Sequence, residues 1–377
     1  MRSSNMYQKI IAFAVILGVF SCTKKVETDP QEESNRAEVI ASLGTNLILQ
    51  SIQNFDTESQ KLNTLAATIP TDKLEKANLE ELQQSWLKLA ATWKQVSLFS
   101  MGPIEDDFLE SGIYYNTVNT NGIESHIAQG TTIDATFIAS LGAAYKGIPA
   151  IEYLLFGNKT TTDALLEKYK GATATQRIKY LKALCADMKT KSANLNTKWS
   201  STGGNYVKTF TEASGRDINS SLGKLSNKMI NLVYTIKDER IGAPKGTRNN
   251  GTPQPALVDA VYSDQSLALL KAEIKSVQSA FTGDIAGTGS GLGVDDILNN
   301  VGAQSEMVLL STKINNQFAS VYSKIDLINI PLSRAVTEQP QLVTDVYNEV
   351  KKLQVLLEVD MINNLGVLLT FSDNDGD

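Results

Sequence analysis

The strongest constraint on this chain is the repeated return of large apolar side chains at spacings of three and four. Leu79, Leu82, Trp86, Leu89, Trp93 and Val96 fall on a single stripe of a helix with 3.6 residues per turn. The same rhythm runs through Ile40, Leu43 and Leu47, continued by Ile52 and Phe55. It recurs in Leu181, Leu184, Met188, Leu195 and Trp199, and in Ile218, Leu222, Leu225, Met229, Leu232 and Ile236. Later stripes are Leu267, Leu270, Ile274, Val277 and Phe281; Met307, Leu310, Ile314, Phe318, Val321 and Ile328; and Val343, Val346, Val350, Leu353 and Leu357. No segment between them alternates apolar and polar residues with the period of two of a half-buried strand, and none carries a hairpin signal. The pattern predicts an all-α fold with the stripes as its core. Trp86 and Trp93 lie on a stripe, so their rings are expected inside, each indole N–H seeking a partner.

Gly242, Pro244, Gly246, Gly251, Pro253 and Pro255 crowd into one stretch, which is loop chemistry. With a length that suits two cores, this predicts two helical-bundle domains, 37–240 and 241–377. A second interruption, Gly283 to Gly293, holds five glycines. It lacks a following Lys-Ser/Thr and follows no strand, so it reads as a flexible loop and not as a phosphate cradle.

Residues 1–21 carry Arg2 and Lys9, an uninterrupted apolar run from Ile10 to Phe20, and Ser21 before Cys22. A run of 11 residues is too short to span a bilayer and suits a cleaved export signal. Leu17-Gly18-Val19-Phe20-Ser21-Cys22 resembles a bacterial lipobox, which makes Cys22 the lipidation site and the membrane anchor. Thr23 after the cysteine favours the outer membrane, on its periplasmic or cell-surface face. Residues 22–36 are polar, acidic and contain Pro30, a composition expected to form a disordered tether.

Net charge is -6, and removing the export signal takes away two cations and no acid, which argues against nucleic acid as a partner. Apart from Cys22 the only thiol is Cys185, on a helical stripe edge, so it reads as inert core. The chain has one histidine, His126, expected at a loop-to-helix junction. That single imidazole rules out a His-Glu-x-x-His zinc helix, and no Gly-x-Ser-x-Gly elbow is present. Carboxylates are the remaining metal-ligating candidates. Glu105, Asp106, Asp107 and Glu110 follow Gly102-Pro103, where they either bind a cation through oxygen or simply complement a helix dipole. Glu152 is set among Ile151, Tyr153, Leu154 and Leu155, with Pro149 expected at the first helical position and Glu152 in the first turn. In such apolar company it needs a partner, for which Arg240, Tyr262 or a ligand are the candidates.

Gly147-Ile-Pro-Ala-Ile-Glu152-Tyr-Leu-Leu-Phe-Gly157 resembles the signature of the imelysin family, Gly-x-His-x-x-Glu, with Pro149 at the histidine position. Four further blocks resemble that family in the same order: Trp86 to Pro103, Lys237 to Gly242, Ala260 to Ser266, and Gly366 to Asp377. The resemblance implies a two-domain helical envelope protein connected with iron acquisition, in a family nominally grouped with metallopeptidases. Pro149 cannot supply the imidazole that the proposed zinc chemistry needs. The resulting expectation is a non-enzymatic binding protein using a cleft around Glu152, Arg240, Tyr262, Ser263, Asp264 and Ser266, with Trp86 and Trp93 behind it. Iron or another divalent metal is the candidate cofactor, with Glu152, Glu105 and Asp106 as candidate ligands. The alternatives are a metallopeptidase using His126, Glu124 and Glu152, and a structural partner of an outer-membrane transporter.

Overall fold

The computed structural model describes residues 30–130, 132–284 and 291–370, which are helical for most of their length. Helix α1 (Pro30–Ser42) passes through a π turn (Leu43–Ile48) directly into α2 (Leu49–Thr68). A π turn, closed by bonds to the fifth residue, absorbs one extra residue per turn. It therefore lets Leu43 and Ile48, and then Leu47 and Ile52, face the core at a spacing of five that a strict α stripe forbids.

The export signal and the lipidation of Cys22 lie outside the described residues, as does most of the glycine-rich loop. The expected tether is corrected at its end, because residues 30–36 belong to α1. Pro30 opens the helix and Glu32 and Glu33 occupy its first turn, where they pair with Arg36 and Arg216. Arg36 is buried and its Nη1 donates to the Leu365 carbonyl at 3.0 Å, fastening the start of the fold to its end.

Helix α3 (Lys76–Val96) packs along α2, and α5 (Ala174–Trp199) packs on the other side of α2. The short helix α4 (Gly147–Phe156) sits against both α3 and α5. After α6 (Ser221–Thr235) a second π turn (Ile236–Gly242) leads into the Gly/Pro-rich loop. Helix α7 (Ser266–Thr282) then returns to pack on α3, while α8 (Leu310–Asp326) and α9 (Pro340–Val355) pack on each other. The buried apolar residues form one contiguous cluster from Val39 to Val367.

Two stripe assignments are corrected. Met307 does not belong to α8 but lies 96% exposed in a hairpin between β1 (Gln304–Ser305) and β2 (Val308–Leu309), paired antiparallel with Gln304 opposite Leu309. Glu306 and Met307 both have positive φ, as the tight primed turns of hairpins require. Ile218 lies ahead of α6 and is exposed, because the helix starts only after Ser220, whose side chain accepts from the Gly223 N–H. Periodicity carries no information about where a cap cuts it off.

Candidate functional site

Helix α4 begins at Gly147, whose φ of 81° and close approach to the Ile113 carbonyl, 2.4 Å from where a Cβ would stand, admit only glycine. Pro149 is consequently the third helical residue, where a missing N–H is still harmless. Glu152 falls in the second turn and not the first, so the helix dipole does not explain it. Trp86 on α3 fixes α4 in place: its Nε1 donates to the Ile148 carbonyl at 2.9 Å, and its ring meets Phe156 edge-on at 5.3 Å. Trp93, one helical stripe further on, is buried against Phe55.

Glu152 is 2% exposed and points at the loop that leads into α7. Its Oε1 accepts from the Tyr262 N–H at 3.0 Å, the Ser263 N–H at 2.8 Å and the Ser263 hydroxyl at 2.8 Å. Tyr262 therefore contributes its backbone and not its phenol. The loop is bent by Ala260 and Asp264, both at positive φ, and two successive N–H groups aimed at one oxygen are what that bend produces. Burial pushes the Glu152 carboxyl up to about 8, against the opposing pull of the Ser263 and Tyr262 bonds and with help from the negative charge of Asp259. The residue is thus largely protonated at neutral pH.

Behind this loop lies a cluster of charges. Lys94, on α3 and 1% exposed, places its Nζ 2.6 Å from Asp259 Oδ2 and 2.8 Å from Glu273 Oε1. Arg240 adds a second cation, its Nε donating to the two Glu273 oxygens at 3.1 and 3.2 Å and lying 3.8 Å from Asp259. Tyr114 donates to Asp259 Oδ1 at 2.6 Å, and the Lys94 ammonium sits 4.0 Å from the centre of its ring. Burial alone would raise Asp259, but Lys94 and Arg240 outweigh it and hold the carboxyl at about 2. The buried Lys94 and the partly buried Arg240 thus satisfy two buried carboxylates, the condition under which such charges are tolerated inside.

This cluster corrects the expected site. Arg240 pairs with Glu273 and Asp259 and makes no bond to Glu152. Ser266 donates to the Asp259 carbonyl and closes the loop, while Asp264 accepts from Ser333 at 3.3 Å, turned to a different neighbour. Lys94, Tyr114, Asp259 and Glu273 were not anticipated. A lysine and a glutamate inside apolar stripes were the only available signal, since Lys94 follows Trp93 and Glu273 precedes Ile274.

The carboxylate metal set is not assembled. Glu105 is exposed with Lys228 3.7 Å away, and Asp106 is exposed, whereas Glu152 is buried and committed to Ser263. Among the described residues no three His, Cys, Asp or Glu side chains are grouped to hold a metal ion. His126 is in the last turn of the helix Thr120–Ala128 and not at its entry, with its ring edge-on to Phe137 and Tyr145. Glu124 accepts from Arg177 and, at 2.5 Å, from Tyr153. The donor set does not fit a bound zinc, and Pro149 closes the remaining position. Cys185 is buried and burial pushes its thiol up to about 12, as suits inert core.

An opening adjoins the charge cluster. A cleft of about 190 Å³ is bounded by Trp93, Lys94, Ser100, Glu110 and Tyr114 on one side and by α6 with Arg240 and Glu273 on the other. The fold is a helical bundle with a cleft between its elements. The sequence matches the model of the imelysin family, M75 in the peptidase classification, over residues 48–357, and the chain belongs to that family. Two solved structures share its fold. An imelysin-like protein from Psychrobacter arcticum superposes with a TM-score of 0.72 at 16% identity, covering 90% of this chain and 98% of that one. A protein described as a candidate iron-regulated protein A precursor from Parabacteroides distasonis gives 0.70 at 17% identity, covering 90% and 97%. No curated protein sequence matches significantly. Among the described residues no helix is long and apolar enough to cross a membrane.

Proposed function

We propose that this imelysin-family chain is a non-enzymatic binding protein of iron, or iron-carrier, acquisition, held at the outer membrane by lipid on Cys22. The observation that carries the reading is the cleft beside the Lys94, Asp259, Glu273 and Arg240 cluster. It is lined by fixed charges and hydrogen-bonding groups, and its walls come from both halves of the chain, α3 and the segment 100–114 on one side, α6, Arg240 and α7 on the other. Glu152 supports the cleft from behind by anchoring the loop that carries Asp259. The name of the Parabacteroides relative supplies the link to iron. With Asp259 and Glu273 already paired with Lys94 and Arg240, the protein receives iron as a complex and not as a bare ion. The carboxylates named for the metallopeptidase alternative are engaged elsewhere, Glu124 with Arg177 and Glu152 with Ser263.

The test is accumulation of radioactive iron by cells lacking the gene, compared with cells in which it is restored. Lower accumulation in the deletion, restored by the intact gene but not by Cys22→Ala, is the expected result. Unchanged accumulation overturns the iron role.

A further inference from the structure

The cleft is lined along one side by a row of donors that α6 and its π turn set out in register. Lys228, Asn231 and Thr235 are three and four residues apart on α6, so they share a face. Arg240 follows Thr235 by five, a spacing that an α-helix would send to another side. The π turn Ile236–Gly242, with its bonds to the fifth residue, brings it back onto that side, and all four residues border the cleft.

These groups are largely unused by the protein itself. Arg240 makes its hydrogen bonds through Nε alone, both to Glu273, and its two Nη groups meet no acceptor among the described residues although the side chain is only 21% exposed. Lys228 has just the long contact to the exposed Glu105. The side chains of Asn231 and Thr235 have no hydrogen-bond partner among the described residues, yet both are partly covered. A guanidinium held from behind by a carboxylate, with its planar fork turned outward, matches a carboxylate in shape and charge. On the facing wall Glu110, which accepts from Ser100 at 3.1 Å, presents negative charge. That charge accommodates a ligand whose other end bears a hydroxyl or an amine.

Building on the binding role above, we propose that the cleft receives a small carboxylate-bearing molecule of the hydroxy- or amino-carboxylate class. Its carboxylate sits on the Arg240 Nη groups with Lys228 at the rim. Asn231 and Thr235 bond its remaining oxygens, and its own donor faces Glu110. A volume of about 190 Å³ accommodates one such molecule and excludes a folded peptide chain. Hydroxycarboxylates chelate ferric ion, so this ligand class is also the form in which iron would enter a cleft where no cluster of metal ligands is found among the described residues.

The experiment is titration calorimetry on the full chain in detergent, with citrate, glycine and inorganic phosphate as separate probes. One-to-one binding of citrate or glycine, stronger than that of phosphate, is expected. Arg240→Lys keeps the charge but loses the fork and should weaken binding by about tenfold or more. Asn231→Ala and Thr235→Val, which leave the buried charges intact, should each weaken it by a smaller factor, so a folding defect in the arginine variant does not decide the outcome. Absence of binding by citrate and glycine at millimolar concentration, or unchanged affinity in all three variants, overturns the proposal. Tighter binding of phosphate than of either carboxylate also overturns it. Iron accumulation that still depends on the gene when no carboxylate binds would leave the iron role standing and remove only this ligand class.

Discussion

Glu152 on α4 and Glu124, which α4 meets through Tyr153, have carboxyls displaced in opposite directions. Glu152 is 2% exposed, receives only neutral donors from Tyr262 and Ser263, and is raised to about 8. Glu124 is half-buried. Burial pushes it up too, but the Arg177 guanidinium, with Tyr153 and Lys168 nearby, carries it below the usual carboxylate range. The difference teaches that three hydrogen bonds from uncharged groups do not compensate for full burial beside the Asp259 charge, whereas a direct cation and a phenol hydroxyl outweigh the milder cost of half-burial. It also separates the roles: the Glu152 side is a sealed brace for the loop 259–265, and the Glu124 side is an ordinary partly wet ion pair.

The largest way to break this contrast is to remove the cation from the sealed side. Lys94→Met leaves Asp259 and Glu273 buried with Arg240 as their only cation, and the expected loss is about 3–5 kcal/mol in urea unfolding. A loss no greater than that of a surface lysine would show that the cluster is not desolvated.

Replacing the brace tests its protonation. The native Glu152 keeps a proton that the unfolded chain releases between its ordinary value of 4.5 and about 8. Its contribution to stability is therefore intact below about pH 4.5 and declines as pH rises through that window, being fully lost above about 8. Glu152→Gln keeps the accepting oxygen and removes the charge. Its unfolding midpoint should match that of the parent at about pH 4.5 and exceed it increasingly up to about pH 8, where the gap levels off. A constant difference at every pH would contradict the raised carboxyl. Glu152→Ala, which strands the Tyr262 and Ser263 N–H groups, should cost about 1–3 kcal/mol at neutral pH, read from the same unfolding curves.

Two smaller effects sharpen the comparison. Trp86→Phe loses the bond to the Ile148 carbonyl while keeping most of the ring, and should cost about 1–2 kcal/mol in thermal or urea unfolding. On the wetter side, Glu124→Gln should cost at most about 1 kcal/mol, and less in high salt, because the pair with Arg177 is partly exposed. Equal costs for Lys94→Met and Glu124→Gln would erase the distinction between the two sides.

Much of the helical layout was legible because burial imposes a period on the sequence. The Trp86 to Val96 stripe became α3 and the Leu267 to Phe281 stripe became α7, with the expected residues inside except Leu267, which is half-buried. Met307 and Ile218 misled because a stripe does not announce its cap. The π turns were legible only as irregularities, a spacing of five between Leu47 and Ile52. The candidate site was half visible. Glu152 and residues of the 260–266 block are expected in one site, and the fold joins them, but largely through backbone N–H groups that no side-chain pattern encodes. Lys94 and Glu273 were hidden for the opposite reason, since a charged residue inside an apolar stripe looks like an interruption until its counter-charge arrives from far along the chain.

The sequence by itself determined an all-α chain and its family, because helical periodicity and local motifs are properties of neighbouring residues. Only the tertiary structure decided that Glu152 braces a loop, that Arg240 answers Glu273, and that a cleft opens beside them. Those outcomes depend on which distant groups share the same low-dielectric interior. Burial makes each of them pair, and the pairing partner is chosen by packing and not by order along the chain.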